Sequence, residues 1–220
     1  MTSANVFLSG WACNANVWHL WDTGNDAPII HVDYLNNSAE HFLSLIDTLQ
    51  QKIPHQSRLT AWSYGGLIAL ALAYYYPHKV NRLSLIATPL KFIHSSDWEG
   101  VLPTLAAQLQ QRLMHNRQQA VNFFARILHL PKHYLHNNHT QLLKHLHLLY
   151  RLDARAWLTD ITCPQWWCFA ENDALVSLKN LHYFAARNYL INVLPNASHN
   201  FLINAPITLI QQWRQFINAA

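Results

Sequence analysis

The sequence predicts an α/β fold built on a mostly parallel sheet. Short apolar runs typical of buried strands alternate with longer helix-forming runs, as the crossovers of a parallel sheet require. This alternation stops over residues 90–160, where leucines recur at helical spacing with no strand between them. The expected strands lie near residues 5–9, 28–32, 58–62, 82–87, 165–170 and 189–194. The expected helices lie near residues 38–51, 64–76, 178–187 and 206–218.

Single residues predict where some of these helices begin and end. Ser38 is the expected N-cap of the first helix, because its hydroxyl can accept a hydrogen bond from the first turn. Pro77 is expected to end the helix over 64–76, because proline offers no N–H group. Pro103 and Pro131 punctuate the helical stretch. Its apolar residues at helical spacing are Leu105, Leu109, Leu113, Val121, Phe124, Leu128, Leu142, Leu146 and Leu149.

The length of 220 residues suits a single domain over 1–220. Residues 1–90 and 161–220 are expected to form its core. Residues 91–160 are expected to form a helical lid over the carboxyl ends of the strands, where open α/β sheets place their active sites. The chain is 51% apolar and only 12% charged, a composition that excludes a disordered protein.

The composition also indicates a cytoplasmic protein that has no membrane span and no metal. No apolar run is long enough to cross a bilayer, and the residues after Met1 lack the pattern of a signal peptide. The histidines show no zinc-type spacing and there is no glycine-rich phosphate loop, so we expect no metal and no cofactor. Three cysteines without a disulfide framework are expected to be reduced thiols: Cys13, Cys163 and Cys168.

The net positive charge of the chain lies in the helical stretch. Residues 91–160 contain eight Lys or Arg and four acidic residues, which accounts for the whole formal net charge of +4. A basic surface beside an active site suggests an acidic substrate or partner, and a solvated helical face is the equally weighted alternative. The absence of a dense basic run argues against a nucleic-acid partner.

The most informative motif is Ala61-Trp62-Ser63-Tyr64-Gly65-Gly66. An apolar strand leads into it and a helix-forming run follows it, so one serine lies on a sharp strand-to-helix turn between small residues. This is the pattern of a nucleophile elbow, which exposes the serine Oγ at the start of a helix. A serine that merely caps the helix is the alternative interpretation.

A carboxylate and an imidazole follow the serine in an order that fits nucleophilic catalysis. Asp173 lies just past the strand at 165–170, and His199 lies just past the strand at 189–194. His199 would take the proton of Ser63 during attack, and Asp173 would hold the imidazole in the required tautomer. Glu171 is an alternative acid, and a turn aspartate without a catalytic role is another possible reading of Asp173.

Two backbone N–H groups are predicted to bind the oxyanion that forms when a serine attacks an ester. One belongs to Tyr64, the residue after the nucleophile. The other belongs to Trp11, because Gly10 permits a sharp bend directly after the strand at 5–9. A plain surface turn is the alternative for this loop.

These residues resemble the α/β-hydrolase superfamily across essentially the whole chain. Within it, the sequence is most similar to the pimeloyl-[acyl-carrier protein] methyl ester carboxylesterases of biotin synthesis. The resemblance rests on Gly10-Trp11-x-x-Asn14-Ala15-x-Val17-Trp18, Trp62-Ser63-x-Gly65-Gly66-Leu67, Asp97-Trp98-x-Gly100 and Ala197-x-His199-x-x-x-Ile203.

The resemblance implies a reaction, a substrate and a partner. A pimeloyl chain carried on acyl-carrier protein would lose its methyl ester at Ser63, with Phe124 lining the acyl channel and basic lid residues facing the acidic carrier. The chain departs from the family pattern in having Ser9 before Gly10, Ala61 as the first small residue of the elbow, no two leading strands, and a shorter lid whose arginines do not align.

Four other functions remain open at this stage. They are a general esterase or thioesterase, another short biotin-pathway esterase, a lyase of the menaquinone type on the same scaffold, and a catalytically silent binding module. A damaged triad would mark the last of these, and the sequence shows none.

Overall fold

The computed structural model describes residues 3–136, 141–184 and 189–219. Its centre is a six-stranded sheet in which every pair of neighbouring strands is parallel, in the order β2-β1-β3-β4-β5-β6. The strands are β1 (Asn5–Leu8), β2 (Ile29–His31), β3 (Ser57–Trp62), β4 (Val80–Ile86), β5 (Gln165–Ala170) and β6 (Leu190–Leu194). All six lie where the apolar runs predict them.

Three helices from the core segments of the chain, residues 1–90 and 161–220, accompany this sheet. They are α1 (Phe42–Gln50), α2 (Tyr64–Tyr75) and α6 (Ile207–Asn218). The first ten residues of α2 are buried, and the helix packs against β3, β4 and α1. Trp213 of α6 donates its indole N–H to the Thr60 hydroxyl of β3 at 3.1 Å, which ties α6 to the sheet. Tyr76 caps α2 immediately before Pro77, so the predicted end of this helix is confirmed.

Three further helices lie between β4 and β5, in the stretch where the strand–helix alternation stops. They are α3 (Pro103–His115), α4 (Arg117–Ile127) and α5 (Leu142–Arg151). The apolar residues predicted at helical spacing are buried, apart from Leu105, which is 37% exposed at the start of α3. No helix within the described ranges has both the length and the hydropathy needed to cross a bilayer.

Two predicted helix features are wrong. Helix α1 begins at Phe42 with His41 as its N-cap, and Ser38 is not its cap. The Lys144 ammonium binds the Ser38 carbonyl at 2.8 Å and the Glu40 carboxylate at 2.7 Å, so α5 holds this segment outside the helix. The segment Leu178–Phe184 is 3₁₀-helical, and residues 185–187 of the predicted helix lie outside the described residues.

The 3₁₀ segment is held by a pair of side-chain hydrogen bonds. The Asn180 side chain is buried and donates to the Glu99 carbonyl at 2.6 Å, while its own carbonyl accepts the Glu99 N–H at 3.2 Å. These two bonds tie the 3₁₀ segment to the residues that precede α3.

One arginine joins the two ends of the helical stretch. The Arg155 guanidinium lies 2.7 Å from the Asp97 carboxylate and 2.6 Å from the Asp153 carboxylate, and it sits over the Trp98 ring. Asp97 precedes α3 and Arg155 follows α5, so this contact brings together the segments on either side of the three helices.

Candidate active site

Ser63 occupies a sharp turn between the end of β3 and the start of α2. Its backbone has φ +56° and ψ −123°, a conformation that residues with a Cβ rarely adopt. The residue is 8% exposed, so its hydroxyl faces a largely closed site. This strained turn is the geometry expected of a nucleophile elbow.

Small residues are required around Ser63 because β1 passes close to the turn. A Cβ at Gly65 would lie 2.5 Å from the carbonyl oxygens of both Leu8 and Ser9, and a Cβ at Gly66 would overlap the Thr88 side chain. The neighbouring strand and loop therefore impose glycine at position 65, which lets the start of α2 approach β1.

The structure brings Ser63, His199 and Asp173 together. His199 Nε2 lies 3.0 Å from Ser63 Oγ, and His199 Nδ1 lies 2.8 Å and 3.0 Å from the two Asp173 carboxylate oxygens. The side chains of His199 and Asp173 are 2% and 1% exposed, so water does not screen their contact strongly. These distances form a continuous hydrogen-bond chain from carboxylate to hydroxyl.

Loops that follow β5 and β6 hold the two partners of Ser63. The Asp173 carboxylate accepts N–H bonds from Leu175 at 2.8 Å and Val176 at 3.0 Å, which fixes its orientation. The carbonyl of His199 accepts the indole N–H of Trp62 at 3.1 Å. Because Trp62 is the residue before the serine, this bond ties the histidine loop directly to the elbow.

Glu171, the alternative acid, points elsewhere. It is exposed, and its carboxylate accepts the backbone N–H of Asn196 at 2.8 Å. This bond links the loops after β5 and β6 without reaching the imidazole. Of the two neighbouring acids, it is Asp173 that lies within hydrogen-bond distance of His199.

The two predicted oxyanion residues both belong to segments that lie against Ser63. Tyr64 follows it directly, and a Cβ at Gly10 would lie 3.4 Å from the Ser63 Cβ, so the loop carrying Trp11 runs against the nucleophile. The Trp11 indole donates to the Leu142 carbonyl at 3.1 Å. Phe124 of α4 packs edge-on against the Trp11 ring, with centroids 5.0 Å apart. Phe124 is thus adjacent to the predicted oxyanion loop.

Sequence reasoning missed two residues beside this site, Tyr34 and His145. Both are buried, and their rings contact the Tyr64 ring. The available clue was His145 itself, which shares the apolar face of α5 with Leu142, Leu146 and Leu149. Tyr34 lies in the loop after β2 and gives no comparable pattern.

The arrangement is suited to acyl transfer. A hydroxyl, an imidazole and a carboxylate in line can generate a nucleophile and then protonate a leaving group. Within the described ranges, no cluster of three or more His, Cys, Asp or Glu has the arrangement of a metal site. The three cysteines are free thiols.

The chain has the α/β-hydrolase fold. Residues 32–127 match the family model described as the alpha/beta hydrolase fold. A hydrolase from Oleispira antarctica superimposes with a TM-score of 0.83 at 13% sequence identity, covering 100% of this chain and 92% of that one. Because this fold occurs here together with similarity to named esterases, the chain is a carboxylic ester hydrolase.

Those relatives are pimeloyl-[acyl-carrier protein] methyl ester esterases. The esterase of Pseudoalteromonas atlantica is 26% identical over 222 residues, covering 88% of this chain and 86% of the relative. The esterase of Aeromonas hydrophila is 26% identical over 243 residues, covering 96% of this chain and 94% of the relative. The predicted resemblance is therefore confirmed along most of the chain.

Proposed function

We propose that this protein is a serine carboxylesterase that hydrolyses the methyl ester of pimeloyl-[acyl-carrier protein] in biotin synthesis. The observation that carries the proposal is the hydrogen-bond chain from Asp173 through His199 to Ser63, in a chain whose relatives bear that activity in their names. The reaction would take place in the cytoplasm, in keeping with three free thiols.

In this mechanism Ser63 Oγ attacks the ester carbonyl carbon while His199 Nε2 takes the hydroxyl proton. Asp173 stabilises the imidazolium, and the N–H groups of Trp11 and Tyr64 bind the oxyanion. The imidazolium returns the proton to the methoxy oxygen, so methanol leaves and an acyl-serine remains. Water, deprotonated by His199, then attacks the acyl-serine and releases the free carboxylate with Ser63 restored.

The helices between β4 and β5 supply an apolar wall and a roof in this proposal. Phe124 of α4 and the carbonyl of Leu142 at the start of α5 both contact Trp11, so these two helices pack where the oxyanion loop lies. Closing the site in this way excludes water and strengthens the electrostatic contacts within it. An acyl chain would run along Phe124 toward Ser63.

The surface charge of the same helices supports an acidic carrier. Arg117, Arg126 and Lys132 are exposed, and none forms an ion pair with another described residue. Arg126 and Lys132 line a groove of about 630 Å³ together with His129. The Asn200 side chain donates to the His129 carbonyl at 3.1 Å, so the groove adjoins the loop that carries His199.

Growth of a biotin-esterase knockout on biotin-free medium tests the proposal. The gene is expected to restore growth, and the same gene carrying Ser63→Ala is expected not to. If the protein hydrolyses simple esters but fails to restore growth, it is a general esterase or thioesterase. If wild-type protein also fails to react with a fluorophosphonate probe, the fold serves as a binding module.

Charge reversal at the groove is expected to weaken recognition of the carrier. An Arg126→Glu, Lys132→Glu double variant should raise the KM for the carrier-bound methyl ester about tenfold, because exposed charges steer and hold an acidic partner. KM is measured for the carrier-bound ester and for p-nitrophenyl butyrate at low and high salt. A Lys52→Glu variant, on an exposed site at the end of α1, is the matched control. Equal KM changes for both substrates would contradict carrier recognition here.

A further inference from the structure

Tyr34, Tyr64 and His145 form a buried aromatic cluster directly behind the elbow. The Tyr34 and Tyr64 rings meet edge-on with centroids 5.4 Å apart, and the His145 ring lies 5.6 Å from the first and 6.0 Å from the second. The Tyr64 hydroxyl and the His145 Nδ1 atom are 3.3 Å apart. One polar contact therefore joins helix α5 to the residue that follows Ser63.

The cluster touches both of the loops that carry the proposed oxyanion donors. Tyr64 carries one donor on its own backbone. The Tyr34 hydroxyl donates to the Ser9 carbonyl at 2.6 Å, and Ser9 lies two residues before Trp11, which carries the other. Helix α5 contacts both donor residues, since its Leu142 carbonyl binds the Trp11 indole and its His145 meets the Tyr64 hydroxyl.

His145 is in the protonation state needed to accept a hydrogen bond from the Tyr64 hydroxyl. Burial lowers the pKa of His145 to about 4, partly offset by the nearby backbone carbonyls of Asn37 and Tyr34. The imidazole is therefore neutral at working pH, and its Nδ1 atom can accept a hydrogen bond from the Tyr64 hydroxyl. Its Nε2 atom is buried and has no partner within hydrogen-bond geometry among the described residues, so the 3.3 Å contact with Tyr64 is the side-chain hydrogen bond that this imidazole makes there.

We infer that His145 is a positioning residue for catalysis, which holds Tyr64 so that its backbone N–H faces the oxyanion and which makes a complete oxyanion site depend on the docking of α5. This inference rests on the proposed function, because it assumes that Ser63 is acylated. A donor that is displaced but not removed costs less than the two to three orders of magnitude typical of deleting one. The loss falls on kcat, since the oxyanion exists only in the transition state and not in bound substrate.

A double-mutant cycle on p-nitrophenyl butyrate hydrolysis tests this role. His145→Phe and Tyr64→Phe are each expected to lower kcat about tenfold with KM nearly unchanged. The double variant is expected to lose no more than either single variant, because both break the same contact. His145→Asn, which returns a hydrogen-bonding group near the Nδ1 position, should recover most of kcat. His147→Phe, on the exposed side of the same helix, is the matched control.

Several outcomes would overturn the inference. If the two losses in kcat multiply in the double variant, Tyr64 and His145 act independently and not through their mutual contact. If His145→Phe lowers the melting temperature but leaves kcat unchanged, His145 has a structural role only. Should His145→Phe fail to fold, the nearly isosteric Tyr64→Phe decides alone by its effect on kcat. Fluorophosphonate labelling of wild type but not of Ser63→Ala establishes the nucleophile independently, so a failure here is distinguishable from a failure of the proposed function.

Discussion

A Ser63→Ala variant is expected to lose about five to six orders of magnitude in kcat for a p-nitrophenyl ester. The hydroxyl oxygen is the only non-hydrogen atom lost, and without it no acyl-enzyme can form. The remaining site still binds ester and offers N–H groups to an oxyanion, so a small residual rate above that in water is expected. Initial rates at saturating ester, measured with highly purified enzyme, give the value.

The fold should survive this change. Alanine has a Cβ like serine, so the strain of the backbone at φ +56° is carried equally by both residues. The matched control is Ser44→Ala, which removes an exposed hydroxyl from α1 and should leave kcat as it is. Wild-type turnover by Ser63→Ala, at an unchanged melting temperature, would mean that another group performs the attack.

An Asp173→Asn variant is expected to lower kcat by about four orders of magnitude. The amide is nearly the same size as the carboxylate, but its NH₂ group cannot accept the Nδ1–H bond that now spans 2.8 Å. The imidazole would then favour the wrong tautomer and present a proton, not a lone pair, to Ser63. Steady-state kinetics on the same ester measure the loss, while circular dichroism checks the fold.

The neighbouring acid provides the control for this prediction. Glu171→Gln also replaces a carboxylate by an amide two residues away, in the same loop. Because the Glu171 carboxylate binds the Asn196 N–H and not the imidazole, kcat should change less than about threefold. A reversed order, with Glu171→Gln the more damaging variant, would transfer the role of the acid to Glu171.

The sequence allowed the strands and the elbow to be predicted because local rules decide them. A buried parallel strand is a short apolar run, and the small residues around Ser63 are visible in the chain itself. The order of Ser63, Asp173 and His199 needed only the rule that the carboxyl ends of parallel strands meet at one edge. Each of these inferences concerns residues close in sequence or strands adjacent in the sheet.

The features that sequence reasoning missed depend on contacts between distant segments. Ser38 fails as an N-cap because Lys144 of another helix binds its carbonyl. At position 65 the carbonyls of Leu8 and Ser9, more than fifty residues earlier in the chain, leave no room for a Cβ. The Tyr34–Tyr64–His145 cluster joins three separate elements, so no spacing within one element could reveal it.

The Arg155 contact bears on how this enzyme could diversify. With Asp97 and Asp153 gathered on one guanidinium, the stem of the insertion is fastened independently of what the intervening helices contain. Because α3 and α4 lie between Asp97 and Arg155, changes within these two helices leave both partners of the contact in place. The two ends of the insertion are thus held together by ion pairs of their own, separate from the packing of the helices between them.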